Sequence, residues 1–393
     1  MEHGVIERNR IAIVGFVATA ITFGPGRMAY GMFLPQLKEE FAFSAGTAGA
    51  IAGLGFAAFL LALFVTGSLT PRFGPRLPLL IGGGFAVAGF ALTALAPGMA
   101  VLSLGVACAS ASAGFAWTPF NSMTQQAVPE QYRRRVLSIV STGTTFGIIA
   151  AGVLAMGIAA GGLSWRIAWA AFAAIAPIAV ILPMLLLSKQ DGFEHGRRVD
   201  IRKEFSRLRR REAVPLYGLA LSFGATNGTY LSYWIEHISQ SGGLPGVPSE
   251  LIGPVLFIAF GLAGCLGLFT GDVVERRGLR MVLLVLFSGS AASLLLLGFL
   301  PGSWAGTLAS AALQGICVMC LSAIYSFWSQ RLFPDIPAES FTAVLMLYAA
   351  GSVIAPPVAG QLGSALGLGP TLALFGAVSI GSLLLVRRVQ EAP

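Results

Sequence analysis

Apolar residues run along this chain in long, nearly unbroken blocks separated by short polar intervals. A bilayer core about 30 Å thick asks for roughly 20 consecutive apolar residues in a helix. Twelve blocks meet that length: residues 11–37, 46–69, 77–96, 100–127, 136–160, 167–188, 214–237, 250–270, 281–299, 305–330, 340–363 and 370–386. Their continuity differs from the short alternating segments of a spanning barrel. The pattern predicts an all-α membrane protein with twelve transmembrane helices.

Composition sharpens this. Charged residues make up 11% of the 393 positions and hydrophobic ones 55%, whereas a soluble domain carries about 25% charged residues. The net charge of +8 is accounted for by loops, so no nucleic-acid partner is expected. With the N-terminus inside, 22 of the 25 basic residues face the cytoplasm: Arg8, Arg10, Arg72, Arg76, Arg133, Arg134, Arg135, Arg276, Arg277, Arg280, Arg331, Arg387, Arg388 and the nine between Lys189 and Arg211. Lys38 and Arg166 fall outside, and Arg27 falls within a span. The positive-inside rule then places both termini in the cytoplasm, in a bacterial-type inner membrane. The first block is too long for a signal-peptide core and is expected to be a retained helix.

The longest charged stretch, residues 189–213, parts the chain into an N-terminal six-helix bundle (1–188) and a C-terminal one (214–393), with a solvated linker between them. A repeat supports the division. Gly67, Arg72, Gly74 and Arg76 recur as Gly271, Arg276, Gly278 and Arg280, at a constant offset of 204. Such a repeat implies two pseudo-symmetric bundles. Its glycines suit a tight turn and its arginines suit helix C-terminal carbonyls, so the segment reads as a conformational latch.

Gly67-Ser-Leu-Thr-Pro71-Arg72-Phe-Gly74-Pro-Arg76 resembles the loop signature of the major facilitator superfamily. The family's acidic position holds Pro71 in the first half and Glu275 in the second. The resemblance implies that fold, an alternating-access transporter, and a latch made of Gly67, Arg72, Gly74, Arg76, Gly271, Glu275, Arg276, Gly278 and Arg280. Residues 26–44 are similar to the opening of YbfB-type and monocarboxylate-type members. The embedded arginine of many proton-coupled members is missing from residues 100–127. The Gly-Pro motif of drug antiporters is missing from 136–160, which has Gly143, Gly147, Gly152 and Gly157 but no proline.

Candidate chemistry centres on Arg27, directly after Gly24-Pro25-Gly26. A cation there costs roughly 2.5–3.5 kcal/mol on insertion scales, and no acidic residue is expected at its depth. Glu236 and His237 are placed at the outer end of span seven. The chemistry of a guanidinium points to a cargo carboxylate as the counter-ion. Pro25 removes a helical hydrogen bond. At an offset of 200, Gly224-Ala-Thr-Asn227-Gly228-Thr-Tyr230 is a matching weak point, and paired interrupted helices point to a carrier's site. The candidate substrate-binding residues are Arg27, Tyr30, Trp117, Thr144, Asn227, Tyr230, Gln314, Tyr325 and Tyr348. Phe56 and Phe59 are candidate apolar walls.

No nucleophile–base pair, phosphate loop or metal cluster is evident, so neither an enzyme nor a cofactor or metal is expected. The four cysteines lie in apolar blocks and read as inert thiols. The expected function is secondary transport of a small organic anion, a carboxylate, by a monomer in the lipid bilayer. The alternatives are an exporter of amphipathic, drug-like compounds and a non-transporting membrane sensor. Symport with a proton, antiport against a counter-anion and uniport all remain open.

Overall fold

The structure is a computed structural model that describes residues 2–187, 208 and 210–389. Most of the predicted linker, residues 189–207 and 209, lies outside the described residues. Among the described residues every regular element is helical. Eleven helices among the described residues are long and apolar enough to cross a membrane, from Glu7–Met32 to Leu368–Val386. The remaining predicted span, the seventh (214–237), corresponds to Val214–Gln240, a continuous 27-residue helix that is not among those eleven.

The first predicted span is not one helix. α1 (Glu2–Ile21) passes into a π-helical turn (Thr22–Arg27), then α2 (Met28–Met32). Pro25 sits inside the wide turn, which accommodates a residue that cannot donate to the carbonyl four positions back. The chain breaks at Phe33 and restarts as α3 (Leu34–Phe41). Pro35 explains the break, because it has no N–H for the Gly31 carbonyl. The span therefore ends at Met32, earlier than the predicted residue 37, and Arg27 lies about 8 Å of helix from that end at 1.5 Å per residue.

The remaining elements are α4 (Ala45–Phe73), α5 (Arg76–Ala94), α6 (Met99–Ala127), α7 (Glu130–Ala160), α8 (Trp165–Ile175), α9 (Ile178–Leu186), α10 (Val214–Gln240), α11 (Ser249–Gly264), α12 (Thr270–Arg277), α13 (Leu279–Phe299), α14 (Trp304–Leu332), α15 (Pro337–Leu366), α16 (Leu368–Gly381) and α17 (Leu383–Val386). They pack as two compact units. One contains residues 2–29, 55–151 and 166–187; the other contains 30–54, 152–165, 208 and 210–389.

In the first unit the π-helical turn lies against α7. A Cβ added at Gly24 would come within 2.5 Å of the Gly147 carbonyl carbon. Small residues permit this approach, as they do between membrane helices generally. A greasy cluster of Ile11, Val14, Phe120, Met123, Val136 and Val140 fills the space beside it. In the second unit, residues 30–54 seat on α10 and α15. A Cβ at Gly31 would overlap the Leu231 carbonyl oxygen. The Tyr233 hydroxyl donates to the carbonyls of Ala45 (3.0 Å) and Pro356 (2.9 Å).

The repeated segment is more helical than a loop. Gly67 lies inside α4 and Gly271 inside α12, each with open space where a Cβ would go. The turn is confined to Gly74 and Gly278, with φ of 78° and 82°. The helices simply run on past the last apolar residue, which short apolar windows do not register. At Gly278 ψ is 149°, a region essentially reserved for glycine. Gly278→Ala is therefore expected to cost about 1–3 kcal/mol in stability, read as a lower unfolding temperature in detergent. Gly271→Ala, in a helix with open space, should not lower it.

Candidate functional site

Arg27 ends the π-helical turn, half-buried in the first unit. Its guanidinium carbon sits 4.4 Å from the ring centre of Phe59, 5.7 Å from that of Phe56 and 5.8 Å from that of Phe23. Phe23 in turn meets Phe59 and Trp117 edge-on, at 6.3 and 6.5 Å between centres. Aromatic faces hold a cation by their quadrupole, each for about 0.5–2 kcal/mol. Arg27, Trp117, Phe56 and Phe59 are thus one neighbourhood. Thr144 is buried in the same unit, on α7. Phe23 escaped the sequence reading, although its position one helical turn before Arg27 put it on the same face.

The second unit holds the other candidates. Gln314 on α14 donates from Nε2 to Asn227 Oδ1 on α10 at 2.9 Å. Asn227 Nδ2 donates to the hydroxyl of Tyr348 on α15 at 2.5 Å. These three form a continuous polar chain across three helices. Gln314 and Asn227 have no exposed surface. Tyr230 and Tyr325 are engaged elsewhere: the former shares a hydrogen bond with Ser310 (3.2 Å), and the latter donates to the Leu219 carbonyl (3.1 Å). Tyr30 donates to the Ala48 carbonyl at 3.1 Å. Those three tyrosines join helix to helix.

Glu236 lies four residues from the end of α10 and is covered by protein. It is 4% exposed and paired with Lys38, while Gln240 Nε2 donates to the same carboxylate oxygen. Lys38 and Arg166 were the two basic residues outside the cytoplasmic set, and both are bound. Arg166 donates to the carbonyls of Ala94 (2.9 Å) and Ala96 (2.8 Å), where α5 ends and orphan carbonyls need donors.

Among the latch residues, Arg76 donates from Nη2 to the Met184 carbonyl in the last turn of α9 at 2.8 Å. Arg72, Glu275, Arg276 and Arg280 are exposed, and among the described residues Glu275 makes no ion pair. Cys317 donates to the Leu286 carbonyl at 3.1 Å. No cysteine among the described residues is in a disulfide.

Among the described residues, eleven long apolar helices, one bent around a proline beside a cation, define an integral multi-pass membrane protein. The model of the Major Facilitator Superfamily matches residues 15–285, and the chain belongs to that family of transporters. Solved structures share the fold across nearly their whole length. A point mutant of the nucleoside transporter NupG superposes with a TM-score of 0.78 at 11% identity, covering 98% of this chain and 100% of that one. A POT family transporter in complex with 5-aminolevulinic acid gives 0.76 at 13% identity, covering 97% and 95%. NupG itself gives 0.73 at 13% identity, covering 98% of each. No curated protein matches the sequence.

Proposed function

We propose that the chain carries a small organic anion, a carboxylate, across a bacterial-type inner membrane by alternating access. It does so as a monomer with twelve spans in two halves, 1–188 and 214–393, and both termini cytoplasmic. The observation that supports the anion is Arg27, a permanent cation set among the faces of Phe23, Phe56 and Phe59 next to a π-helical turn. Insertion of such a charge is costly, and charged residues inside spans tend to mark substrate pathways. π-turns likewise recur at functional sites. A guanidinium offers a planar fork that fits a carboxylate with two parallel hydrogen bonds.

In this reading the kinship to monocarboxylate-type members is one of cargo chemistry. Arg72, Arg76, Glu275, Arg276 and Arg280, with the glycines beside them, form the cytoplasmic latch. Alternating access requires the seam between residues 30–54 and α10 to part, so the Lys38–Glu236 pair is one of the contacts that must break. Symport with a proton, exchange against a counter-anion and uniport are all compatible with this reading.

The test is uptake into proteoliposomes of a labelled panel of mono- and dicarboxylates, alongside neutral sugars and hydrophobic cations. Saturable uptake of at least one carboxylate, inhibited by unlabelled carboxylates and not by the others, is expected. Export of hydrophobic cations with no carboxylate flux would replace the proposal by the drug-exporter alternative.

A further inference from the structure

The polar chain in the second unit ends on an atom with nothing to bind. Gln314 Oε1 is buried and has no hydrogen-bond partner. Turning over both amides reverses the chain: the Tyr348 hydroxyl would then donate to Asn227 Oδ1 and Asn227 Nδ2 to Gln314 Oε1, and the Gln314 NH2 group would stand where the orphaned oxygen is, in need of an acceptor. A buried polar atom in that state costs about 1–3 kcal/mol, and the nitrogen of the same amide is tied through Asn227 on α10 to Tyr348 on α15, which holds the amide in place. None of the three is more than 7% exposed, so the position is closed in this conformation.

We infer that the amide of Gln314 receives a hydroxyl group of the cargo, which makes the cargo a hydroxylated compound rather than a plain hydrocarbon acid. A hydroxyl both donates and accepts. It therefore satisfies the orphaned atom whichever way the Gln314–Asn227–Tyr348 chain is polarised, whereas an ammonium only donates, a carbonyl only accepts and an alkyl group does neither. A site built to hydrogen-bond a hydroxyl rejects the analogue that lacks it, because the protein group is then left buried and unpaired. The inference rests on the reading of the chain as a carrier of small molecules. It names a second feature of the cargo, independent of the carboxylate.

The experiment is ligand binding to the purified full-length protein by titration calorimetry, with three pairs that differ by hydroxyls: L-lactate and propionate, L-malate and succinate, uridine and 2′,3′-dideoxyuridine. At least one hydroxylated member is expected to bind about tenfold more tightly than its partner. That ratio should fall below about twofold in Gln314→Met and in Tyr348→Phe, which cut the chain at opposite ends. Should Gln314→Met fail to fold, Tyr348→Phe decides. The inference is overturned if no pair shows a preference, as when a water alone fills the position. It is equally overturned if the variants lose thermal stability while keeping the preference, as a purely structural network would. Arg27→Gln separates it from the anion reading. Carboxylates that bind regardless of hydroxyls but need Arg27 sink only this inference; hydroxylated ligands that need Gln314 and ignore Arg27 sink only the anion.

Discussion

Arg27→Gln is expected to slow saturable carboxylate uptake by about 100-fold while leaving the protein folded. The magnitude follows from the loss of one partner in a desolvated charge-assisted pair, which costs about 2–5 kcal/mol. The fold should survive because Phe23, Phe56 and Phe59 meet the guanidinium through their faces, and Phe59 and Phe56 are already buried. An uncharged amide of similar reach can lie across the same rings, giving up the cation–π attraction. Arg27→Lys should recover part of the rate, since it restores the charge without the two-pronged fork. The measurements are initial uptake rates in proteoliposomes and unfolding temperatures of the same preparations. Uptake by Arg27→Gln at the wild-type rate would show that the charge serves the helix and not the cargo.

The spans were legible because lipid imposes one requirement on every exposed helix face, and apolar run length reports it directly. The exception is instructive. α10 carries Thr226, Asn227, Thr229, Tyr230, Ser232, Tyr233 and Glu236, all buried within protein. A helix that faces protein is excused from the hydropathy that a lipid-facing one must show, which is why Val214–Gln240 stands apart from the eleven apolar helices. Its length and its place directly after the basic segment 189–213 still marked it. The repeat was legible for its turns, with Gly74 and Gly278 sharing nearly the same φ. It was misleading for Gly67 and Gly271, which sit in helices.

Side-chain partners were legible only when local. Phe23 and Arg27 share a helical face, so their contact could be read from spacing. Phe56 and Phe59 come from α4, and nothing in the residues near Arg27 announces them. Asn227 and Gln314 were each candidate site residues, but their bond to one another and to Tyr348 depends on how α10, α14 and α15 are rotated. Periodicity gives the depth of a residue along a helix; rotation is set by packing, here by glycines such as Gly224, whose added Cβ would overlap the Tyr348 carbonyl oxygen.

The Lys38–Glu236 pair joins residues 198 positions apart, and it carries the other large expected effect. Lys38→Ala should lower stability by about 3 kcal/mol or more, because it strands a carboxylate that is 4% exposed. Glu236→Gln should cost less. An amide oxygen can still accept from Lys38 and Gln240, and the lysine, at 18% side-chain exposure, can reach water. The double variant Lys38→Met with Glu236→Leu should regain most of the loss, since two apolar side chains of similar size owe no desolvation. Unfolding temperatures of the four proteins in one detergent decide the matter. Equal temperatures for wild type and Lys38→Ala would mean that the hydrogen bond Gln240 Nε2 already makes to the carboxylate is enough to hold it. A double variant no better than Lys38→Ala would mean that the seam between residues 30–54 and α10 depends on the charges themselves and not on the close packing of Gly31 and Tyr233 along it.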